Sequence, residues 1–167
     1  MVEKEDIWVI SGCAEYVLGS LPTKDYYQVL KNHHGRNMND TISDMLVRIK
    51  NAGYAGKKTV VFSYSKIKFE IAKLLFEKKF VGEVLKKGKK YIKLIEITLL
   101  YDEFEKPRVS DFKRISKLSR RIYSGVKEIH RVKNGFGLGV YSTVKGIISD
   151  KEARSLKVGG EFLFEIW

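Results

Sequence analysis

Cysteine is almost absent from this chain. Cys13 stands alone among 167 residues, which excludes an intramolecular disulfide and a cysteine-based zinc site. No apolar run approaches the ~18 residues that a membrane-spanning helix needs. The first residues, with Glu3, Glu5 and Asp6 close together, lack the character of a secretory signal or an acid-poor transit peptide. Histidine is also scarce. His33-His34 has neither a cysteine nor a third histidine nearby, so the pair reads as solvated loop. His130 stands in a Lys/Arg-rich stretch, a poor setting for a catalytic base. Acidic side chains after residue 37 are scattered and read as solvating charges or helix caps. No nucleophile, base and orienting group come together, so an enzyme is not expected. There are no internal repeats and no low-complexity linker.

What the chain has is positive charge and enough apolar surface for a core. Lys and Arg number 32 against 20 Asp and Glu, a net charge of +12, and 44% of residues are hydrophobic. Such a balance speaks to partners and points first to nucleic acid, with an anionic membrane surface second. The charge is uneven. Residues 1–37 carry four basic and five acidic side chains, so 38–167 net +13. Residues 110–160 hold twelve basic and four acidic side chains, +8 in 51 residues. Concentrated charge of this kind favours phosphate neutralisation with counterion release. Lys outnumbers Arg 24 to 8. That suits backbone tracking more than base-edge reading, although an AT-rich codon bias explains much of the ratio.

Periodicity predicts an α/β (α+β) fold in two parts that, with no low-complexity linker between them, pack directly. The boundaries read as an extension over 1–37, an N-terminal α-β-α-β-β domain over 38–107, and a mostly-β C-terminal domain with a short helix over 108–167. In the extension, Ile7-Trp8-Val9-Ile10 could be a strand and Thr23 could cap a helix to His33. Asp40 or Thr41 caps a helix whose apolar face is Ile42, Met45, Leu46, Ile49 and Ala52. Thr59 to Phe62 reads as a strand. Ser65 caps a second helix with Ile67, Ile71, Leu74 and Leu75 inward. Phe80 to Leu85 is a strand, Lys86 to Lys90 a turn of four positive charges, and Tyr91 to Leu100 a long strand. Beyond Pro107, strands are predicted at Val109–Ile115, Arg121–Tyr123, Gly139–Ser142, Gly146–Ile148 and Glu161–Trp167. Ser149 or Asp150 caps a short helix, and Gly159-Gly160 is a turn.

Two segments invite a binding role. Asn134-Gly135-Phe136-Gly137-Leu138-Gly139 has the look of a nucleotide loop, but a strand-like segment follows where a helix is required. It reads better as a bend that admits close backbone packing. Ser142-Thr143-Val144-Lys145-Gly146 offers hydroxyls, a charge and a glycine, a chemistry that suits RNA.

The order of these segments carries more than any one of them. Arg121-Ile122-Tyr123, Gly137-Leu138-Gly139-Val140, Ser142-Thr143 with Lys145-Gly146, Asp150 with Ala153-Arg154, and Gly159-Gly160-Glu161 together resemble the C-terminal half of bacterial-type ribosomal protein S-eight. Asp44-Met45-Leu46 with Arg48-Ile49 and Asn51-Ala52, and Ser65-Lys66-Ile67-Lys68 with Ile71-Ala72 and Leu75, resemble its N-terminal helices. The resemblance covers 38–167 and implies a fold of two small, tightly packed α/β domains. It implies a structural constituent of the small ribosomal subunit that binds 16S-type rRNA at a distorted stem in the central domain and supports assembly. It implies small-subunit proteins five and twelve as neighbours, a similar stem in its own operon's mRNA as a second ligand, no cofactor and no membrane. A messenger-RNA regulator using the same surface is the alternative. The location implied is the ribosome, in a bacterial cytoplasm or the matrix of a mitochondrion or plastid. RNA-contacting positions carried over residue by residue are Ser142, Thr143, Lys145, Gly146, Gly159, Gly160, Glu161, Tyr123 and Lys117, with Ser65, Lys66 and Lys68 on the N-terminal side. For Glu161, the chemistry points to accepting from a base amino group or orienting a neighbouring base.

Three departures matter. Ser63-Tyr64-Ser65-Lys66 lacks the proline of the family's Pro-Ser-Ser-Lys loop. Ser116-Lys117-Leu118-Ser119 replaces Ser-Arg-Pro-Gly, so the charge survives at Lys117 while the turn is expected to be lost. Val144 removes one hydroxyl, worth about 0.5–1.5 kcal/mol as a hydrogen bond. Residues 1–37 have no counterpart in the usual family. Met38 stands where the family normally starts, so the segment reads as a lineage-specific addition or an upstream start.

Overall fold

The structure, a computed structural model, describes residues 40–89 and 92–167. The strand at Ile7–Ile10 and the helix beginning at Thr23 lie outside the described residues.

The first described element is α1, Thr41–Tyr54. Asp40 caps it, accepting from the Ile42 and Ser43 amides at 3.1 and 3.2 Å. Ile42, Met45, Leu46, Ile49 and Ala52 are all buried, as the periodicity requires. Strand β1 is Thr59–Ser63 and α2 is Lys66–Glu77. Strands β2, Val81–Lys89, and β3, Ile92–Leu99, follow. The three strands form an antiparallel sheet in the order β1-β3-β2.

The second sheet is antiparallel and built from short pieces. Strands β4, Phe112–Arg114, and β5, Tyr123–Ser124, both pair with the last strand. Strands β6, Leu138–Thr143, and β7, Gly146–Ser149, form a hairpin. Helix α3, Asp150–Ser155, is capped reciprocally: Ser149 accepts from the Glu152 amide and Glu152 accepts from the Ser149 amide. Strand β8, Gly160–Ile166, runs through the middle, flanked by β6 and by β4 and β5.

One large buried cluster draws on both sides of Pro107. Leu46, Ile71, Ile95 and Ile97 meet Leu138, Val140, Phe164 and Ile166 in it. A smaller cluster holds Ile129, Tyr141, Ala153 and Phe162, with the Tyr141 and Phe162 rings stacked at 4.4 Å. Polar ties cross between the halves. Arg114 donates to Asp40 at 2.9 Å, Lys50 to Asp111 at 2.8 Å, and Lys78 pairs with Glu152.

Several local expectations change. The strand expected over Val109–Ile115 shrinks to Phe112–Arg114, because the Ser110 and Asp111 amides both turn onto the Trp167 carbonyl. The strand at Arg121–Tyr123 moves to Tyr123–Ser124. Lys86 to Lys89 are not a turn but ladder residues, with Lys86 opposite Ile95 and Lys89 opposite Ile92; Lys90 lies outside the described residues. Gly160 opens β8 rather than sitting in a turn. The bend at Gly137 is tight, as expected: a Cβ there would lie 2.5 Å from Val132 Cγ1 and 3.1 Å from the Ile166 carbonyl.

Candidate nucleic-acid interface

The sheet register lines up the residues of the C-terminal surface. Tyr123 on β5 is opposite Glu161 on β8, Glu161 is opposite Ser142 on β6, and Ser142 is opposite Ile147 on β7. Directly opposed residues project from the same face, so Tyr123, Glu161 and Ser142 form one transverse row. Two glycines allow the strands to close. A Cβ on Gly159 would lie 2.7 Å from the Ser124 carbonyl, and one on Gly160 would collide with the Ser142 carbonyl and lie 2.8 Å from Thr143 Cγ2. Their smallness is therefore used on the protein's own backbone, which brings β5 and β6 onto β8.

Beyond Ser142 the chain turns in two residues, Val144 and Lys145, with Thr143 paired to Gly146. Gly146 has φ +104°, a conformation that favours glycine. The Thr143 hydroxyl staples this tip. It accepts from the Lys145 amide at 3.2 Å and donates to the Gly146 carbonyl at 3.1 Å. That leaves Ser142, whose hydroxyl has no hydrogen bond among the described residues, as the free hydroxyl of the row. Lys145 is exposed and Val144 is 95% exposed.

Glu161 is engaged with protein groups through one carboxylate oxygen, Oε1. Its carboxylate accepts from Ser116 Oγ, which is completely buried, and from Arg121 Nη1 at 2.7 Å. Burial pushes its pKa up, but the bonds from Ser116 and Arg121 outweigh that and hold it below the usual carboxylate value. Glu161 thus stays charged and fixes the Arg121 guanidinium at the end of the row, beside the exposed Tyr123 ring. Sequence reasoning named Arg121 only as part of a pattern and missed Ser116. The signal available was the pair Arg120-Arg121, separated from Tyr123 only by Ile122.

Lys117 is exposed in a turn that survives without Pro-Gly. The Lys117 and Arg120 backbones bond reciprocally, at 2.9 and 3.1 Å, and close the loop by themselves. The loss of this turn, expected from the substitutions, does not occur.

On the N-terminal side the structure separates three candidates. Ser65 stands at the α2 N-cap but makes no side-chain cap bond, and Lys66 is exposed beside it. The first turn holds no acid, the reverse of what a helix N-terminus prefers. Lys68 is different: it is 5% exposed, with its ammonium 3.2 Å from Ser63 Oγ. Burial lowers its pKa, with Asp44 and Arg48 acting in opposite directions. Its helical position, four residues before Ala72, points it inward, away from a ligand on the surface.

Among the described residues no cluster of His, Cys, Asp and Glu could hold a metal ion. The arrangement is a hydrogen-bonding and basic surface. It offers an aromatic ring at Tyr123, a fixed guanidinium, a free hydroxyl and flexible ammonium groups.

A family model described as "Ribosomal protein S8" matches residues 40–167. A protein named "Small ribosomal subunit protein uS8" from Syntrophus aciditrophicus is 40% identical over 131 residues, covering 78% of this chain and 98% of the relative. Its namesake from a Nitratiruptor species is 43% identical over 135 residues, covering 78% and 99%. That from Trichormus variabilis is 40% identical over 130 residues, covering 77% and 98%. With the family model spanning everything after residue 39, the chain belongs to the ribosomal protein S8 family.

Proposed function

We propose that this chain is a structural, non-enzymatic constituent of the small ribosomal subunit that binds 16S-type rRNA directly at a stem in the central domain and supports subunit assembly. The family supports the ribosomal role. The observation that carries direct RNA contact is the transverse row: Tyr123, Glu161 with its bound Arg121, and Ser142, continued by Lys145 at the hairpin tip. Phosphate contacts by Lys117, Lys145, Lys66 and Arg121 position the protein, while Ser142 and the Tyr123 face read the stem's 2′-hydroxyls and displaced bases. Gly159, Gly160, Gly146, Thr143 and Ser65 shape this surface. Lys68 supports it from beneath. Binding would favour the folded stem by mass action, which is how such a protein promotes assembly.

The test is the affinity of the full chain for a transcript of the small-subunit rRNA central domain at fixed salt. Ser142→Ala removes one hydrogen bond, so a loss of about 0.5–1.5 kcal/mol is expected. Tyr123→Ala removes a stacking platform, with an expected loss of about 1–3 kcal/mol. Wild-type affinity in both variants would move the interface elsewhere.

A further inference from the structure

The lysine-rich hairpin between β2 and β3 is not used by the C-terminal surface. Residues 78–93 hold seven Lys and one Glu. Strand β1 ends at Ser63, opposite Leu94, which is also opposite Lys87. Past that point only the Tyr64 amide, on the Lys93 carbonyl, still follows β3, and among the described residues no further strand pairs with the β2–β3 ribbon through Gly88–Lys93 and Lys89–Ile92. Like charges crowded on neighbouring strands repel one another. The ribbon's charge therefore asks for an external partner.

Some of the lysines are spoken for. Lys87 pairs with Glu96, and Lys78 with Glu152. Lys86 and Lys93 have no carboxylate partner among the described residues, and both are exposed. The register puts them on one face. Lys86 is opposite Ile95 and Gly88 is opposite Lys93, so Lys86 and Lys93 are diagonal neighbours, about 7–8 Å apart at the backbone. That face points toward the α2 end of the sheet. The Lys86 ammonium lies 5.4 Å from the centre of the Tyr64 ring, and the Tyr64 amide donates to the Lys93 carbonyl at 2.9 Å. Tyr64 in turn meets Phe69 at 5.9 Å, and Lys73 covers Phe69 at 4.9 Å. The aromatic pair holds two ammonium groups in place at the surface without neutralising them. Ser65 and Lys66 follow Tyr64 directly, so the ribbon adjoins the N-terminal part of the interface.

We propose that the β2–β3 ribbon extends the RNA interface, with Lys86 and Lys93 contacting phosphates of the same rRNA. A lysine ammonium is a compact point charge suited to a phosphate backbone rather than to base edges. Tyr64, next to Ser63 where the family carries proline, is the residue that orients Lys86. This inference rests on the RNA-binding reading above, and its test separates the two.

The experiment measures affinity of the full chain for the central-domain transcript across a salt series. Each lost phosphate contact flattens the plot of log affinity against log salt by about 0.7–0.9. Lys86→Gln with Lys93→Gln should therefore make the slope shallower by about 1.4–1.8. Lys86→Arg with Lys93→Arg should keep the wild-type slope, because charge is what acts. Ser142→Ala should lower affinity while leaving the slope unchanged. A wild-type slope in the glutamine pair, with Ser142→Ala still weakened, overturns the ribbon contact alone and leaves the hairpin to a protein partner. A shallow slope in the arginine pair also overturns it, since packing on Tyr64 would then be the cause. If wild-type protein shows no salt-dependent binding, the RNA reading fails and the ribbon contact fails with it.

Discussion

Gly160→Ala should be disproportionately harmful for a one-carbon change. Gly160 lies between Ser124 on β5 and the Ser142 end of β6. Its added Cβ would collide with the Ser142 carbonyl and lie 2.8 Å from Thr143 Cγ2 and 3.1 Å from the Ser142 carbonyl carbon. These are mostly backbone atoms, so no side chain can rotate away. The strands must part where the row Tyr123–Glu161–Ser142 is formed. Overpacking of this kind costs about 1–3 kcal/mol. The upper half of that range is expected, since the obstacle is a strand. For a chain of this length it corresponds to a fall in Tm of about 4–12 °C. Gly125→Ala is the control. Gly125 has φ −72° and ψ 164°, and its nearest neighbour for a new Cβ is Glu128 Oε2 at 3.8 Å. That change should be neutral or stabilise by about 0.4–1 kcal/mol through the unfolded chain. Thermal and urea unfolding of both variants decides the matter, and the RNA affinity of Gly160→Ala should fall as well. If the two alanines have the same stability, or if Gly160→Ala costs less than about 0.5 kcal/mol, the close strand approach is wrong.

Two further outcomes follow from the site's electrostatics. The lowered pKa of Glu161 means that its stabilising contribution is complete above the unfolded carboxylate value, about 4.3, and is lost as pH falls through the lower folded value. Glu161→Gln should cost about 1–2 kcal/mol at neutral pH, discounted for the exposure of Arg121, and the gap from wild type should close in acid; urea midpoints across pH 3 to 7 read it. Lys68→Met should leave RNA affinity within about twofold while Lys66→Gln weakens it, because only Lys66 reaches solvent; the methionine variant should be no less stable, as a buried ammonium carries a desolvation cost.

Most of the architecture was legible in the chain because the apolar spacing was strong. Ile42 to Ala52 and Ile71 to Leu75 define helix faces that no other period fits, and the alternation in Ile92–Leu99 defines a strand. The edges of the second sheet were not legible. Val109–Ile115 has strand composition, yet the Trp167 carbonyl captures the amides of Ser110 and Asp111, a contact between residues more than fifty positions apart. The Lys86–Lys89 ladder was hidden because lysine gives no β signal, while its partners Ile92 to Ile95 decide the matter. Within the site, sequence order pointed to Tyr123, Ser142 and Glu161, and the register explains why they belong together. It could not distinguish the engaged Glu161 and Thr143 from the free Ser142, nor the buried Lys68 from the exposed Lys66. Those differences depend on where Ser116, Arg121 and Ser63 end up in space.

The most direct measurement of the central claim is a backbone-cleavage footprint of the full chain on the central-domain rRNA transcript. The expected result is protection confined to one irregular stem, competed by that stem but not by a regular duplex of equal length, and lost when Ser142→Ala and Tyr123→Ala are combined. Equal competition by the regular duplex, or an unchanged footprint in the combined variant, would contradict recognition through the Tyr123–Glu161–Ser142 row.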